Sequence, residues 1–265
     1  MNLKNKNIEN QIGCIIQARM GSSRLPKKVM RKVEKNIFLI DSVLYQLKFC
    51  KSFSKIIVVT TTLSEDDILF EQIISNSVDC YRGSSEDVLD RYYQCAKKYK
   101  LKNIIRITSD NPLIDPQIVD KVVQRFFEKK CDYATNTMPR TYPYGTEVEI
   151  FSFKTLEKTW KNAVKPSERE HVTQYMRETA HFSKSNLKNH EDLTHLRYTV
   201  DRLEDMKVVQ EILKNISSRP ILLEDILNLY KINPQIFEIN KNVKHDGYQS
   251  SLKKDEQYLK SKKKE

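Results

Sequence analysis

Short apolar runs alternate with amphipathic segments of helical period along most of the chain. Each run is long enough for one buried strand, and several end in polar residues where the chain would leave a sheet. The runs that predict strands are residues 12–16, 55–61, 78–83, 103–110 and 198–201.

The segments between these runs carry helix-start signals. Ser64, Ser85 and Asp115 each precede an amphipathic segment, and Pro116 occupies the first helical position after Asp115. The alternation predicts an α/β fold whose mostly parallel sheet is covered by helices on both faces, a three-layer α/β/α arrangement. Right-handed crossovers then follow from chain chirality.

The pattern changes between about residues 132 and 190. The stretch TNTMPRTYPYGTEVEIFS predicts a loop and a strand inserted over the sheet. Helical spacing resumes over residues 166–182, and a last helix pair is predicted over residues 204–230. Since no internal repeat and no Pro/Gly/Ser linker divides the chain, we expect one domain over residues 11–239, with an excursion over 132–190.

The composition permits a sizeable core, with 39% apolar residues in a chain of 265. No run reaches the roughly 18 apolar residues of a membrane span, and the first ten residues lack the apolar centre of a signal peptide, so a cytoplasmic protein is expected. The five cysteines are scattered without a CxxC pair, which favours reduced thiols over disulfides or a thiolate zinc site.

The formal net charge of +11 includes +4 from residues 240–265, which hold eight lysines and four acidic residues. Residues 240–265 are Lys-rich with few apolar side chains, so we expect a disordered tail there, and a flexible N-terminus over residues 1–10. A tail of this kind either keeps a protein soluble or associates with RNA or an anionic membrane. The charge alone therefore does not decide the function.

The stretch after the first predicted strand has the composition of a polyphosphate-binding loop. Residues 12–28 read IGCIIQARMGSSRLPKK, with the cations Arg19, Arg24, Lys27 and Lys28 around Gly21, Ser22 and Ser23. Such a loop emerges at the carboxyl end of a strand, where open α/β sheets bind ligands, and its cations can neutralise phosphate charge. A solvated basic loop is the alternative interpretation, because charge clusters are common on surfaces.

Two aspartates each follow a predicted strand. Asp110 ends the run over 103–110, and Asp201 precedes a helix that begins near Glu204. An aspartate at a strand end is commonly a turn or cap residue. Two carboxylates from separate strands also suit one hard cation, and Mg²⁺ is the natural candidate, because substrate phosphates complete its octahedron.

Eight segments in order carry a family resemblance over roughly residues 10–230. They are IIQARMGSSRLPKKVM, IVVTTT, YRGSSEDVLDRYY, RITSDNPLIDPQIVD, DYATN, TYPYGTEVEIF, SEREHVTQYM and RYTVDRLEDM. The set resembles the cytidylyltransferase family of the spore-coat polysaccharide type, which is similar to CMP-sugar synthetases for nonulosonic and ketodeoxyoctulosonic acids. The resemblance implies a GT-A-like nucleotidyltransferase fold, in which a nucleoside triphosphate reacts with a sugar and pyrophosphate leaves.

The resemblance also implies roles for individual residues. Lys28, Arg19 and Asp110 would be catalytic, and Asp110 and Asp201 would hold Mg²⁺. The nucleotide-binding residues would be Ala18, Arg19, Gly21, Ser22, Arg24, Lys28, Arg82, Gly83, Ser84, Asp87 and Asp110, with Val88 and Arg91 in the same segment. The substrate-binding residues would be Tyr142, Gly145, Glu147, Glu149, Arg169, Glu170 and His171.

Several assignments leave alternatives open. Val88 fits helix packing as well as a pocket wall, and His171 fits a structural hydrogen bond as well as contact with the acceptor. The usual RLPGK of the family is RLPKK here, and the usual TGD is TSD, with Ser109. If the replaced glycine needed a positive φ, Lys27 would cost about 1 kcal/mol of strain.

The expected function is Mg²⁺-dependent activation of an acidic sugar, in which CTP and the sugar give a CMP-sugar and pyrophosphate for a surface glycan or polysaccharide. A second interpretation keeps the fold but uses another nucleoside triphosphate, or a sugar phosphate or phosphonate acceptor. A third, a nucleic-acid-binding protein acting through the basic tail, lacks a recognisable module. The resemblance further implies a homodimer.

Overall fold

The computed structural model describes residues 11–244 and 249–262. Its strands are β1 (Ile12–Gln17), β2 (Lys32–Glu34), β3 (Ile37–Phe38), β4 (Lys55–Thr61), β5 (Asp79–Gly83), β6 (Asn103–Thr108), β7 (Tyr133–Thr135), β8 (Glu149–Ser152) and β9 (Lys184–Asn186). Its helices are α1 (Leu39–Leu47), α2 (Asp67–Ser75), α3 (Val88–Lys98), α4 (Pro116–Lys129), α5 (Phe153–Asn162), α6 (Pro166–His171), α7 (Gln174–Glu178), α8 (Leu203–Asn215), α9 (Leu223–Ile232), α10 (Gln235–Glu238) and α11 (Gln249–Lys262). Short 3₁₀ turns cover Lys28–Met30 and Ser64–Asp66.

A seven-stranded sheet forms the centre, in the order β5-β4-β1-β6-β8-β7-β9. The first four strands of that order are parallel. β8 runs antiparallel to both β6 and β7, and β9 is parallel to β7. The predicted, mostly parallel α/β sheet is therefore confirmed, and the strands of the excursion extend that same sheet.

Helices cover both faces of the sheet. Successive residues of β1 point to opposite sides and are apolar on both, so each face needs a covering layer. Cys14 and Ile16 belong to an apolar cluster with α1, α4 and α8. Ile15, between them, belongs to a second cluster with α3 and α5. The three-layer prediction is confirmed by these two cores, one on each side of the central strand.

The segment over residues 198–201, predicted as a strand, is extended without joining the sheet. The backbone N–H of Tyr198 donates to Tyr144 O (2.8 Å), and that of Val200 donates to Asp110 O (2.8 Å). These acceptors lie in loops, so no regular ladder forms. The prediction of a strand was wrong, yet the bond to Asp110 O brings Asp201 beside Asp110.

The single helix predicted over residues 166–182 is broken into α6 and α7 at Val172. Val172 has φ 64° and ψ −55°, and Thr173 N donates to His171 O at 2.6 Å. This is a γ-turn with positive φ, a rare and strained conformation. Hydrophobic periodicity does not reveal a reversal centred on one residue, because the apolar spacing continues through it.

The disordered tail expected over residues 240–265 is contradicted for Gln249–Lys262, which form α11. Asp255, only 7% exposed, accepts a hydrogen bond from Ser167 N (2.8 Å) at the start of α6. A buried carboxylate with a backbone donor gives this polar helix a defined docking position. Residues 1–10, 245–248 and 263–265, including the N-terminus predicted as flexible, lie outside the described residues.

Two features bear on the expectations drawn from composition. All five cysteines are free thiols, and Cys14, Cys95 and Cys131 are buried. Within residues 11–244 and 249–262, no helix has both the length and the apolar character needed to cross a bilayer.

Candidate active site

A cleft of about 240 Å³ opens at the carboxyl ends of β1 and β6. Its lining residues are Gln17, Ala18, Arg19, Gly21, Ser22, Ser23, Arg24, Lys28, Val29, Val88, Arg91, Thr108, Ser109, Asp110, Glu170 and His171. This is the edge at which parallel sheets bind ligands. The basic loop and Asp110 share the cleft, as the sequence predicted.

The loop after β1 folds back on itself through two backbone hydrogen bonds. Lys27 N and Ser22 N both donate to Met20 O, at 3.1 and 2.8 Å. Lys27 has φ 58° and ψ 25°, the left-handed conformation that favours glycine, so this lysine holds its position at a cost of about 1 kcal/mol. Gly21 has no positive φ of this kind, and the one atom that a Cβ there would meet within 4 Å is Oε1 of the exposed Glu65 side chain, at 3.0 Å.

Asp66 anchors the loop, and sequence reasoning missed it. This fully buried carboxylate accepts hydrogen bonds from Met20 N (2.7 Å) and from the Thr61 hydroxyl. It thereby ties the loop to the end of β4. The sequence signal was present as an acidic residue after Ser64, but it was interpreted only as a helix start.

Lys28 lies between the two predicted carboxylates. Its Nζ is 3.2 Å from Asp110 Oδ2 and 3.0 Å from Asp201 Oδ1, and its side chain is 12% exposed. Burial by itself lowers the pKa of Lys28, but the charges of the two aspartates outweigh burial and raise that pKa above its ordinary value. Asp110 and Asp201 therefore both contact one atom, while their binding of a metal ion stays a prediction.

Asp201 accepts hydrogen bonds from three cations. Besides Lys28, Arg24 Nη2 lies 2.6 Å from Oδ1 and Arg197 Nη2 lies 3.2 Å from Oδ2. Burial opposes ionisation of this carboxyl, but Lys28 and Arg24 hold its pKa well below the usual range. Asp201 is therefore a carboxylate at neutral pH.

The two carboxylates fit a hard divalent cation. They already meet at one positively charged atom, Lys28 Nζ, so the position between Asp110 and Asp201 favours positive charge. Among the described residues, no group of three or more His, Cys, Asp or Glu side chains is arranged to hold a metal. Two carboxylates completed by substrate phosphates are the usual donor set of Mg²⁺.

The segment predicted to face the nucleotide contributes two residues to the cleft, Val88 and Arg91. Arg82, Gly83, Ser84 and Asp87 are not among the lining residues, and their assignment to the nucleotide stays a prediction. The guanidinium of Arg82 donates to the carbonyls of Thr61 and Leu63, both at 2.9 Å, and so supports the connection after β4.

Asp87 is turned away from the cleft by two structural roles. It caps α3 by accepting from Asp90 N (2.8 Å), and its other oxygen accepts from the guanidinium of Arg169. Arg169 was predicted to bind substrate, but its Nη1 also donates to Trp160 O (2.7 Å). The pair joins α3 to α6 instead of lining the cleft.

The guanidinium of Arg91 has one hydrogen-bonded nitrogen and one buried nitrogen without a partner among the described residues. Arg91 is 2% exposed, its Nε donates to Ser84 O (2.9 Å), and in the described part of the chain its buried Nη2 has no hydrogen-bond partner. Burial and the charge of Arg19 lower its pKa from the ordinary value. A buried unpaired N–H is costly, so this arginine holds its position at some expense in stability.

Of the seven residues predicted to bind substrate, Glu170 and His171 line the cleft. The others, Tyr142, Gly145, Glu147, Glu149 and Arg169, do not. Glu149 is buried, where it accepts from the hydroxyls of Tyr133 and Thr173 and from Arg106, which hold its pKa below its usual value against the effect of burial.

The remaining three residues of that set have structural roles. Glu147 accepts from Asn111 Nδ2 (3.0 Å) and Arg140 Nη1 (2.6 Å), which fixes the chain just after Asp110. Gly145 has φ 116°, and a Cβ there would meet the Tyr198 ring at 2.6 Å. Tyr142 is 5% exposed and packs in the core.

His171 and Glu170 contact α11 at the outer wall of the cleft. His171 Nε2 and Ser251 Oγ form a 2.8 Å hydrogen bond, and Lys254 Nζ lies 3.1 Å from Glu170 Oε2. Burial, reinforced by the charge of Arg106, lowers the pKa of His171, so the imidazole is neutral at pH 7.

Gln17, Thr108 and Ser109 also line the cleft, although no role was predicted for them. Gln17 and Thr108 are the last residues of β1 and β6. The rule that ligands bind at the carboxyl ends of parallel strands would have found these positions.

Comparisons with known proteins bear on the identity of this chain. The sequence profile of the cytidylyltransferase family matches residues 13–244. The chain is 38% identical over 237 residues to the uncharacterised protein MJ1063 of Methanocaldococcus jannaschii, covering 88% of this chain and 96% of that protein. It is 32% identical over 234 residues to the spore coat polysaccharide biosynthesis protein SpsF of Bacillus subtilis, covering 85% and 96%.

A solved structure of a cytidylyltransferase from Leptospira borgpetersenii has a TM-score of 0.82 and 34% identity to this chain, covering 86% of this chain and 96% of that one. The family profile spans the basic loop, both aspartates and the excursion. The protein is therefore a member of the cytidylyltransferase family.

Proposed function

We propose that this protein transfers the cytidylyl group of CTP to a hydroxyl of an acidic sugar, with Mg²⁺, to supply a CMP-sugar for a surface glycan or polysaccharide. The observation that carries the proposal is Lys28 held between Asp110 and Asp201 at the end of a basic loop. Membership of the cytidylyltransferase family supports CTP as the donor.

The reaction forms one bond and breaks another. The acceptor oxygen bonds to the α-phosphorus, the bond from that phosphorus to its bridging oxygen breaks, and pyrophosphate leaves with the electron pair. The hydroxyl proton passes to water. Such transfers depend on positioning and on charge stabilisation at phosphate oxygens, which need no covalent intermediate on the protein.

The residues of the cleft meet these demands. Arg19, Arg24 and Lys28 would neutralise the triphosphate and the departing pyrophosphate. Asp110 and Asp201 would hold Mg²⁺, whose charge when bound lowers the pKa of an acceptor hydroxyl.

The charge of the cleft favours an anionic acceptor. Four cations and two carboxylates are among its lining residues, and one of those carboxylates, Glu170, is paired with Lys254. Asp201, which is not a lining residue, pairs with Arg24 and Lys28 and offsets one further positive charge. The remaining excess of positive charge attracts a sugar carboxylate as well as a triphosphate.

A thermal-shift panel of ATP, CTP, GTP and UTP with and without Mg²⁺, followed by pyrophosphate detection with sugar acids and neutral sugars, tests the proposal. We expect stabilisation by CTP that requires Mg²⁺, and pyrophosphate release with a sugar acid alone. Equal stabilisation by all four nucleotides, or release only with a sugar phosphate or phosphonate, would contradict it. The homodimer and the cytoplasmic location stay predictions, to be checked by light scattering and cell fractionation.

A further inference from the structure

The C-terminal helix α11 lies beyond residues 13–244, which the family profile matches, yet it is docked beside the cleft. Asp255 accepts hydrogen bonds from both the backbone N–H and the hydroxyl of Ser167, and both residues are buried. A polar helix held by a buried carboxylate at the first turn of α6 has a specific register on that helix.

Two side chains of α11 reach residues that line the cleft. Ser251, fully buried, contacts His171 Nε2 at 2.8 Å and donates to Glu170 Oε2 at 3.2 Å. Lys254 Nζ lies 3.1 Å from that same oxygen. One turn of α11 thus contacts both of the predicted acceptor residues that the structure places in the cleft.

The backbone holds His171 from the other side. The next residue, Val172, is fully buried and adopts a positive φ that a β-branched side chain strongly disfavours. Strain of this kind persists where surrounding contacts impose it, and it concentrates at ligand sites. The direction of the His171 ring is therefore set by the γ-turn and by Ser251 together.

We propose that α11 forms the outer wall of the acceptor half of the cleft, with Ser251 orienting His171 and Lys254 neutralising Glu170, so that the cleft accepts an anionic sugar. This inference rests on the proposed function, because the acceptor half is defined by it. Ser251 and Lys254 act as positioning residues through His171 and Glu170.

Charge explains why Lys254 matters for acceptor choice. Without it, the Glu170 carboxylate would face the cleft uncompensated and repel a carboxylate on the acceptor. The charged groups around His171 are Arg106 on β6, Glu149 on β8, Glu170 on α6 and Lys254 on α11. Since Lys254 disfavours the imidazolium, its removal raises the pKa of His171.

NMR titration of the full-length protein tests the docking directly, with the His171 resonance assigned from a His171→Gln sample. Lys254→Ala should raise the pKa of His171, and Ser251→Ala should shift its ring resonances. Lys260→Ala, an exposed lysine on the same helix, should do neither. If neither Lys254→Ala nor Ser251→Ala moves the resonance, α11 does not act on the cleft and the inference is wrong.

Steady-state kinetics with ketodeoxyoctulosonate as the probe acid, or with whichever sugar acid supports turnover, tests the specificity. Lys254→Ala should raise KM for the acid roughly 3- to 10-fold and leave KM for CTP within about 2-fold, an effect weakened by high salt. Lys254→Arg should restore the wild-type KM. Equal KM for the acid in wild type and Lys254→Ala would overturn the proposal.

Failure of the proposed function has a different signature. If no sugar acid yields pyrophosphate from CTP, the acceptor class is wrong, and added sugar acids should then leave the His171 resonance of the wild type unmoved. Pyrophosphate release with an acid that does not perturb His171 would keep the proposed function and reject the role of α11.

Discussion

The two ends of the cleft are built in different ways. The phosphate end consists of residues 17–28 with Asp110 and Asp201. Its cations Arg24 and Lys28 form ion pairs with these two aspartates, each of which follows a strand or an extended segment. The acceptor end consists of Glu170 and His171 with α11, and depends on a γ-turn and on a helix distant in sequence. The phosphate end is therefore positioned mainly by the parallel sheet. The acceptor end also requires that α11 packs against α6.

Each end contains a residue other than glycine with positive φ, and the two differ in kind. Lys27 lies in the left-handed helical region, which costs about 1 kcal/mol. Val172 lies outside it, at ψ −55°, where a strained backbone costs about 1–3 kcal/mol. The left-handed conformation of Lys27 therefore costs the basic loop little, while Val172 stores more strain beside His171, which lines the cleft.

The largest effect is expected from Lys28→Met at the phosphate end. It removes the cation between Asp110 and Asp201 and should lower turnover by about 10²- to 10³-fold whatever the acceptor, as for other electrostatic groups at reacting oxygens. Pyrophosphate release measures it, with circular dichroism to confirm folding. Near-normal turnover would show that the phosphate end does not carry the reaction.

Asp66→Ala tests how the loop is held. It leaves the buried Met20 N–H unpaired and should lower the free energy of unfolding by about 1–3 kcal/mol and raise KM for CTP. The adjacent Asp67, whose side chain is 55% exposed in a pair with Arg82, supplies the matched control. Asp67→Ala should change stability by less than about 0.5 kcal/mol in denaturant titrations, and equal losses would contradict the assignment.

Asp201→Asn removes the negative charge of this side chain and keeps its shape, so the pH dependence of stability tests the ion pairs of Asp201. The pKa of Asp201 in the folded protein lies below the value of about 3.9 in an unfolded chain, so its stabilisation is complete above about pH 5 and is lost as pH falls below about 4. The variant should be less stable by about 1–2 kcal/mol at pH 7. In urea unfolding, the difference in free energy of unfolding between the wild type and the variant should be smaller at pH 3 than at pH 7. An equal difference at both pH values would argue against the ion pairs.

Val172→Gly addresses the strain at the acceptor end. Deleting a buried valine side chain destabilises, but glycine relieves the positive φ at this position. The loss should be smaller by at least about 1 kcal/mol than for Val59→Gly, another fully buried valine but in β4. Equal losses in denaturant unfolding would mean that the γ-turn stores no strain.

The smallest effect is expected from Lys27→Gly. Relief of the left-handed conformation should raise the free energy of unfolding by up to about 1 kcal/mol, partly offset by the greater freedom of glycine in the unfolded chain. Lys27→Ala serves as the control, since it removes the charge and keeps the strain. If Lys27→Ala raised the free energy of unfolding as much as Lys27→Gly, the effect would come from the lost charge and not from relief of strain.

Much of the phosphate end was predictable because its residues are tied to strand ends. Arg19, Arg24, Lys28 and Asp110 follow apolar runs, and parallel strands bring their carboxyl ends to one edge. Arg82 and Asp87 lie in a motif of the same kind, yet their side chains bond to Thr61 O, Leu63 O and Arg169. The sequence pattern located the segment but not the direction of its side chains.

The acceptor end shows where sequence reasoning stopped. Glu170 and His171 line the cleft while Glu147 and Glu149, from the same predicted set, are used by Asn111, Arg140, Tyr133 and Arg106. Which carboxylate lines the cleft depended on hydrogen-bond partners that lie 7 to 43 residues away in the chain. The helical order of residues 249–262 likewise depended on Ser167, which lies more than 80 residues earlier.

The sequence by itself determined the α/β layering, the basic loop after β1 and the place of Asp110 after β6, because hydrophobic periodicity and residues at strand ends are local properties of the chain. Only the tertiary structure decided that Asp66 anchors the loop, that Val172 breaks a helix, and that α11 contacts His171. These three depend on hydrogen bonds and packing between distant segments, whose partners no local pattern specifies.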